Sequence, residues 1–274
     1  SVENLLKGII VASGNDACVA MAQFLAGNEK TFAKYMNQAA QHLGMTHSHF
    51  VDSTGLPDPN HYSTAGDLSI LASAIIHDYP QYYHFFKEKW FSYNGIRQPN
   101  RNRLLWRDDS VDGLKTGHTK AAGYCLIASA KRNMRLLSVV LGTPSDSARA
   151  NDSQALLNYG FRYYTSKQLY SAGETISSPR VWLGDKTHVA LGVDQNLYVT
   201  LAKNKNEQIS TKIEINPRLT APINKGQLCG AITISDSAGK ITSVPLIALE
   251  NISKGGWFSR MRDRVGMMFT SKKG

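Results

Sequence analysis

The chain has 274 residues, 42% hydrophobic and 19% charged, which is the composition of a globular protein with one large or two ordinary domains. It has no run of about 18 apolar residues, so no transmembrane helix is predicted within it. The net charge of +10 favours anionic partners, but no basic patch interleaved with aromatic residues is present, so we expect no nucleic-acid partner.

The cysteines are odd in number and widely spaced, a pattern that neither a zinc site nor a disulfide framework has. We interpret them as small core residues and predict no metal and no cofactor. They are Cys18, Cys125 and Cys229.

The first part of the chain alternates helical patterns with loops. Apolar residues at helical spacing predict helices over 3–11, 16–26 and 29–43, with the polar stretch 13–16 between the first two. Gly44 is a natural C-terminal cap for the third helix. That helix is predicted to bury Phe32, Met36, Ala39 and Leu43.

Strand patterns begin after a further helix, which Thr64 and Asp67 introduce with capping-box spacing. Two of the strands are close enough to pair as a hairpin around 131–134. The first part therefore mixes helices and strands. The predicted strands cover 90–93, 124–130 and 135–142, and a closing helix covers 147–159.

From residue 166 to residue 249 the helical period gives way to short strands between turn residues. Alternation is clear at 212–215 and 232–234. This stretch carries no cluster of titratable groups. We therefore predict a second, β-rich domain that acts as a spacer or docking module.

The tail over 250–274 has the pattern of an amphipathic helix with basic residues, which is typical of a helix in a membrane interface. We expect the stretch 253–256 before it to be flexible. A helix packed on its own domain is the alternative. The apolar arc comprises Trp257, Phe258, Met261, Val265, Met268 and Phe269, and Arg260, Asp263 and Arg264 lie on the other side.

Two short motifs could carry chemistry. Residues 114–118 read Leu-Lys-Thr-Gly-His after a strand-like run, and the glycine permits close approach of another backbone. A phosphate loop would need a glycine-rich turn that leads into a helix, and no such turn precedes these residues. A plain hairpin corner remains an alternative. The second motif, Ser13-Gly14-Asn15, lies at a helix break and could simply cap the next helix.

Together the motifs resemble the second and third motifs of the penicillin-recognising serine acyl-transferases, which read Ser-Asp-Asn and Lys-Thr-Gly. The longer stretches IIVASGNDACVAMA, SYNGIRQPNRNRLLW and VDGLKTGHTKAAGY are similar to the D-alanyl-D-alanine carboxypeptidases among the low-molecular-mass penicillin-binding proteins. The resemblance covers nearly the whole chain. It implies an α+β fold: a penicillin-binding-protein or β-lactamase-like transpeptidase domain over 1–165, incomplete at its start, then the β-rich domain and an anchoring tail.

The resemblance also implies roles for individual residues. Ser13 would relay a proton to the leaving amine, and Asn15 would hold the substrate amide. Lys115 would anchor the terminal carboxylate of a peptidoglycan stem peptide or of a β-lactam. Further binding residues are expected to be Thr116, Gly117, His118, Arg101 and Arg149.

The resemblance places the enzyme in the periplasm, attached to the inner-membrane surface by its tail. The first family motif, Ser-x-x-Lys, is missing upstream of Ser13, so we expect a truncated and inactive chain. The one such string, Ser237–Lys240, lies between strands and is expected to have no catalytic role. A non-catalytic peptidoglycan-binding scaffold and a β-lactamase-like hydrolase are the alternatives.

The sequence contains three other groups of candidate functional residues. His47, His49 and Asp52 could suggest a metal site, although no further ligands stand at a recognisable spacing. The aromatic run over 82–90 is expected to pack in the core or at a rim, with glycan contact as the alternative. Acidic residues beside the lysine motif are interpreted as solvated loop acids. They are Asp108, Asp109 and Asp112.

Overall fold

A computed structural model describes residues 1–203, 209–237 and 239–270, with the backbone alone for 268–270. The chain divides into two compact units, Ser1–Arg162 and Tyr163–Gly274. None of the helices in the described part of the chain combines the length and apolar composition needed to cross a membrane.

The first unit mixes helices with two small antiparallel sheets. Its helices are α1 Val2–Lys7, α2 Asn15–Ala26, α3 Glu29–Leu43, α4 Ala65–Asp78, α5 Pro80–Tyr83, α6 Leu104–Arg107 and α7 Asp146–Tyr163, with a π-helical turn at Gly8–Ala12 and a 3-10 turn at His84–Lys87. Its strands are β1 Trp90–Tyr93, β2 Ile96–Pro99, β3 Val111–Thr119, β4 Gly123–Lys131 and β5 Arg135–Thr143.

The predicted helix-end residues Gly44 and Thr64 are confirmed. Gly44 ends α3 at a φ of +81°, and the structure adds Asn28, whose side chain accepts the Thr31 N–H at 2.8 Å where that helix begins. Thr64 accepts the Asp67 N–H at 3.1 Å at the start of α4. The predicted strands and the hairpin between β4 and β5 are also present.

The predicted buried face of α3 is partly wrong. Phe32, Met36 and Leu43 are half-buried, and Ala39 is exposed, whereas the fully buried residues are the small Ala33 and Ala40. Small side chains lie at the contact because they let the backbones of neighbouring elements approach.

The main core of the first unit lies between α7 and the sheet, whose strand order is β3-β4-β5. Leu126 and Ala128 on β4 meet Leu157 on α7, and all three side chains are at most 1% exposed. Since β4 is central, β3 is an outer strand of the described sheet.

The second unit is β-rich, as predicted for the stretch beyond residue 166. Its strands are β6 Tyr164–Tyr170, β7 Val181–Trp182, β8 Leu191–Gly192, β9 Leu197–Ala202, β10 Ser210–Ile215, β11 Leu219–Thr220, β12 Leu228–Asp236 and β13 Gly239–Ala248. The largest sheet has the order β10-β12-β13-β8. Its core includes Ile232, Ile234 and Leu246, which are fully buried. In the string Ser237–Lys240, Ala238 lies outside the described residues.

The tail forms helix α8, Trp257–Thr270, and its polar side does not face water as a whole. Asp263 is 4% exposed and accepts the Leu183 N–H at 2.8 Å and the Arg180 guanidinium at 3.2 Å. The helix also passes so close to Trp182 that a Cβ at Gly266 would lie 3.1 Å from its ring. On its Asp263 side the helix is therefore packed on its own unit, which is the alternative given for this tail.

The stretch before α8 is bound rather than flexible, which corrects a second expectation. Lys254 forms a bridge with Gly184, and the Gly255 N–H donates to Leu183 O at 2.9 Å. The remaining predicted tail positions lie outside the described residues or side chains; they are Met268, Phe269, Lys272 and Lys273.

Replacing Asp263 by alanine should lower the free energy of unfolding of the second unit by about 1–3 kcal/mol, because the buried Leu183 N–H loses its acceptor. Urea unfolding of the whole chain followed by tryptophan fluorescence measures this. Asp194→Ala, which removes an exposed carboxylate of the same unit, is the matched control and should change little. Equal effects of the two substitutions would contradict the structural role of Asp263.

Candidate active site

Ser13 stands at a strained backbone position between two helices. It ends the π-helical turn Gly8–Ala12 with φ +56° and ψ +42°, the left-handed region that a residue with a Cβ adopts rarely. The Gly14 N–H donates to Gly8 O at 3.0 Å and closes this corner. Such strain persists where the surrounding structure holds it, and it is frequent at functional sites.

Lys115 approaches this corner from β3, an outer strand of its sheet. Its Nζ donates a hydrogen bond to Ser13 Oγ and a second one to Thr116 O at 3.1 Å. The two sequence motifs, 102 residues apart, thus meet through their side chains. The structure therefore brings Ser13 and Lys115 together, and their roles in one site stay predictions.

The Lys115 ammonium has an unusually low pKa. Burial lowers its pKa to about 8; the neighbouring Cys18 thiol opposes this shift, and the positive charges of Arg101 and Arg149 add to it. Below a pH of about 8, the Lys115 side chain stays a cation in spite of its burial. Lys115 therefore feels the positive charges of two arginines, which favours an anion beside it.

Arg101 shares an open groove with the serine motif. The groove has a volume of about 770 Å³ and lies in the first unit. Hairpin residues between β1 and β2 form its opposite wall. The lining includes Ser13, Gly14, Arg101, Tyr93, Ile96 and Gln98.

Arg149 is 5% exposed and holds the backbone beneath the lysine motif. Its Nη1 donates to Gly117 O at 3.1 Å and to Cys125 O at 3.4 Å, while Nη2 pairs with Asp146. Its guanidinium donors thus contact protein acceptors, and its charge acts on Lys115 through space.

The remaining predicted residues lie along the same strand or at the helix start. Thr116 is buried, Gly117 and His118 are exposed, and the His118 ring lies 3.9 Å from the Tyr124 ring between centroids. Asn15 is the first residue of α2 and is exposed. Their roles toward a substrate stay predictions.

Sequence reasoning missed a network that holds the base of β3. Asp112 accepts two hydrogen bonds from Arg135, at 2.7 and 2.8 Å, and one from the Tyr83 hydroxyl at 3.1 Å. Burial, with the Asp112 charge adding to it, raises the Tyr83 pKa, so its hydroxyl remains a donor. The buried Asn102 donates to Gly113 O at 3.0 Å on the same strand.

Two of the flanking acids are therefore not solvated loop residues, which corrects their interpretation. Asp112 is paired as described, and Asp108 accepts from Ser110, Gln154 and Arg132. Burial alone would raise the Asp108 pKa, but these hydrogen bonds hold it at about 2. Asp109 is exposed, as predicted for a loop acid.

The possible metal ligands are engaged separately. His49 Nδ1 lies 2.6 Å from Asn60 O, and Asp52 accepts N–H groups of its own turn at 2.7 Å. The backbone N–H of His47 donates to Asp67 at 2.8 Å. Among the described residues, no three side chains of metal-ligand type lie together.

The aromatic run divides between core and surface. Tyr83 and Phe85 are 8% and 7% exposed, whereas Tyr82 and Trp90 are about half exposed, at 53% and 44%. Packing in the core or at a rim is confirmed for this run.

Comparison with known proteins identifies the family to which this arrangement of residues belongs. The family model of the D-alanyl-D-alanine carboxypeptidases matches residues 1–145, which contain both motifs and their contact. The chain belongs to this family, serine peptidase family S11. The predicted family and enzyme class are thereby confirmed. A second model, the C-terminal domain of penicillin-binding protein 5, matches residues 164–254.

Named relatives support the carboxypeptidase family. The chain is 44% identical to the D-alanyl-D-alanine carboxypeptidase DacC of Escherichia coli strain K12 over 98% of its own length and 68% of that relative. Penicillin-binding protein 5 from Haemophilus influenzae superimposes with a TM-score of 0.82 at 41% identity, covering 93% of this chain and 75% of that one. The predicted α+β penicillin-binding-protein fold is confirmed.

A further solved relative carries a β-lactam. Penicillin-binding protein D2 from Listeria monocytogenes, in its ampicillin-bound form, has a TM-score of 0.55 and 34% identity to this carboxypeptidase-family chain, covering 59% of it and 67% of that chain.

The Lys115 ammonium should titrate near pH 8, because its folded-state pKa is about 8 whereas a lysine in water has about 10.4. The charge is complete below this pH and is lost as the pH rises through it. Isotope-edited NMR of the lysine side chains measures the titration, and the Lys115→Arg variant assigns the signal by its loss. A midpoint at the value of a solvated lysine would show that the side chain is not buried.

Proposed function

We propose that this chain carries the D-alanyl-D-alanine carboxypeptidase chemistry of its family, which removes the terminal D-alanine of peptidoglycan stem peptides through an acyl-enzyme. The contact between Ser13 and Lys115, beside the charges of Arg101 and Arg149, is the observation that carries the proposal. An anion site next to a hydroxyl suits a substrate that ends in a carboxylate next to its scissile amide.

The substrate carboxylate binds Lys115 beside Arg101, and the charge of Arg149 acts on the site from a distance. The outer strand β3 binds the peptide backbone by added-strand hydrogen bonds, and a main-chain N–H near Gly117 stabilises the oxyanion. His118, exposed at the end of the motif, shapes the site. Thr116 adds a hydroxyl donor, and Asn15 binds the substrate amide.

Ser13 and Lys115 together transfer a proton. When the acyl carbon bonds to the serine of the family's Ser-x-x-Lys motif and the amide bond breaks, the leaving amine of D-alanine takes the Ser13 hydroxyl proton, and Lys115 replaces it along the hydrogen bond described. A lysine with a pKa of about 8 exchanges protons near neutral pH far more readily than one in water.

Residues 1–145 contain no Ser-x-x-Lys string, so they do not supply the motif that carries the nucleophile. We propose that the 274-residue chain alone is not acylated, and that a non-catalytic peptidoglycan-binding scaffold is the alternative function. β-Lactams bind at the carboxylate site by the same charge complementarity, as the ampicillin-bound relative suggests.

We assign residues 1–165 to the carboxypeptidase domain, 166–249 to a spacer or docking module, and 250–274 to attachment at the inner-membrane surface in the periplasm. The exposed apolar side chains of α8 support the attachment. Trp257, Phe258, Met261 and Val265 are 62%, 82%, 56% and 53% exposed. They lie opposite the side that Asp263 holds against the β-rich unit.

Fluorescent penicillin tests the chemistry. The product of the whole reading frame that contains this chain should be labelled, and Lys115→Ala should lower the labelling rate on the order of 100-fold, since the carboxylate loses its partner. Lys120→Ala, at an exposed lysine five residues on, is the control and should label normally. A whole product that has a Ser-x-x-Lys upstream of the residue matching Ser13 and does not label would contradict the acyl-enzyme; labelling of the 274-residue chain would contradict its inactivity.

Vesicle sedimentation tests the attachment. Phe258→Asp should lower the affinity of the chain for lipid vesicles about 10- to 100-fold, because one aromatic side chain no longer enters the acyl boundary. Leu228→Asp, at a residue of β12 that is 60% exposed, is the matched control and should leave binding unchanged. Unchanged binding of both variants would show that α8 does not contact the bilayer.

A further inference from the structure

A recess of about 320 Å³ lies beside the first two turns of α8. Two of its four lining residues are arginines, four residues apart and hence on one side of the helix. The other two supply apolar walls. The lining residues are Trp257, Arg260, Met261 and Arg264.

The positive charge of the recess is not neutralised by the described part of the chain. The nearest acid along the helix, Asp263, is buried and bound by Arg180 and the Leu183 N–H. Arg260 Nε is buried and has no acceptor. An unpaired buried donor is costly and is a ready partner for an anion. Trp257 is the first residue of α8, so the positive end of the helix dipole adds to the attraction.

The position of the recess on the helix indicates which anion it meets. At about 100° per residue, the exposed apolar side chains from Trp257 to Val265 occupy an arc of about 100°. Arg264 lies about 20° outside one edge of this arc, beside it and not on the other side as predicted, and Arg262 lies about 40° outside the other edge. If the apolar arc enters the acyl boundary, Arg264 stands at the depth of the lipid headgroups.

We propose that Arg260 and Arg264 form a binding site for the phosphate of an acidic phospholipid. The guanidinium groups bind the phosphate oxygens, and Trp257 and Met261 contact the glycerol and the upper acyl chain. The site rests on the membrane attachment proposed above and adds a lipid class to it. The apolar walls, continuous with the arc, favour a lipid over free phosphate.

The test compares two arginines that flank the same apolar arc. The whole chain is sedimented with phosphatidylcholine vesicles that contain or lack phosphatidylglycerol. Diffuse attraction contributes about 1 kcal/mol, or about fivefold, for each arginine wherever it lies near the surface. We expect Arg264→Gln to lower the affinity for vesicles with phosphatidylglycerol on the order of 50-fold, and Arg262→Gln only about fivefold. Both residues are exposed, and each change removes one charge.

A second variant separates charge from shape. Arg264→Lys keeps the charge and loses the planar fork, so it should bind less tightly than the parent chain and more tightly than Arg264→Gln. Each variant is first checked for an unchanged thermal unfolding midpoint. Because Arg264 is exposed, a folded variant is expected.

Equal losses from Arg262→Gln and Arg264→Gln would overturn the site in favour of diffuse attraction. Release from the vesicles by inorganic phosphate, but not by the same ionic strength of chloride, would overturn the lipid assignment in favour of free phosphate. Failure of the parent chain to bind either vesicle would instead remove the membrane attachment. Penicillin labelling of the whole gene product reports the proposed catalysis independently of all these outcomes.

Discussion

The burial of one lysine cation constrains the rest of the candidate active site. Lys115 has to reach Ser13 from an outer strand, so the base of that strand has to be held firmly. Asp112, bound by Arg135 and Tyr83, and the buried Asn102 provide this support. Burial of a charge is unfavourable without partners, and here the serine hydroxyl and a backbone carbonyl are its direct ones. On the helical side of the site, the surrounding structure likewise holds Ser13 at a strained, positive φ.

In the acyl transfer that we propose, the same lysine has two tasks: as a cation it attracts a carboxylate, and as an acid of lowered pKa it returns a proton through the serine. The positive charges of Arg101 and Arg149 lower the pKa of Lys115 further, and in the proposed mechanism they also attract the substrate. The arginine held by Gly117 and Asp146 acts at a distance and need not touch the substrate.

Local sequence patterns predicted the elements but not their partners. Asn28, Gly44 and Thr64 mark helix ends because capping depends on a few adjacent residues. The prediction that Ser13 and Lys115 belong to one site came from the family resemblance, because no local sequence pattern relates positions so far apart. Asp112 looked solvated because its partner Arg135 lies on another strand.

The tail shows the same limit. A helical wheel shows which residues of α8 share a side, but the burial of Asp263 depends on Leu183 and Arg180, some eighty positions earlier. The small residues Ala33 and Ala40 are buried where larger neighbours were expected for a similar reason: the spacing between elements decides which size fits.

The fixation of α8 on the β-rich unit has a consequence for the timing of adsorption. A disordered amphipathic segment becomes helical only at the lipid surface and loses conformational entropy at that moment. In this chain the helix is already ordered by Asp263 before any surface is met. Adsorption at the lipid surface that we propose, and release from it, would then be the approach and departure of a preformed helix, without a folding step between them.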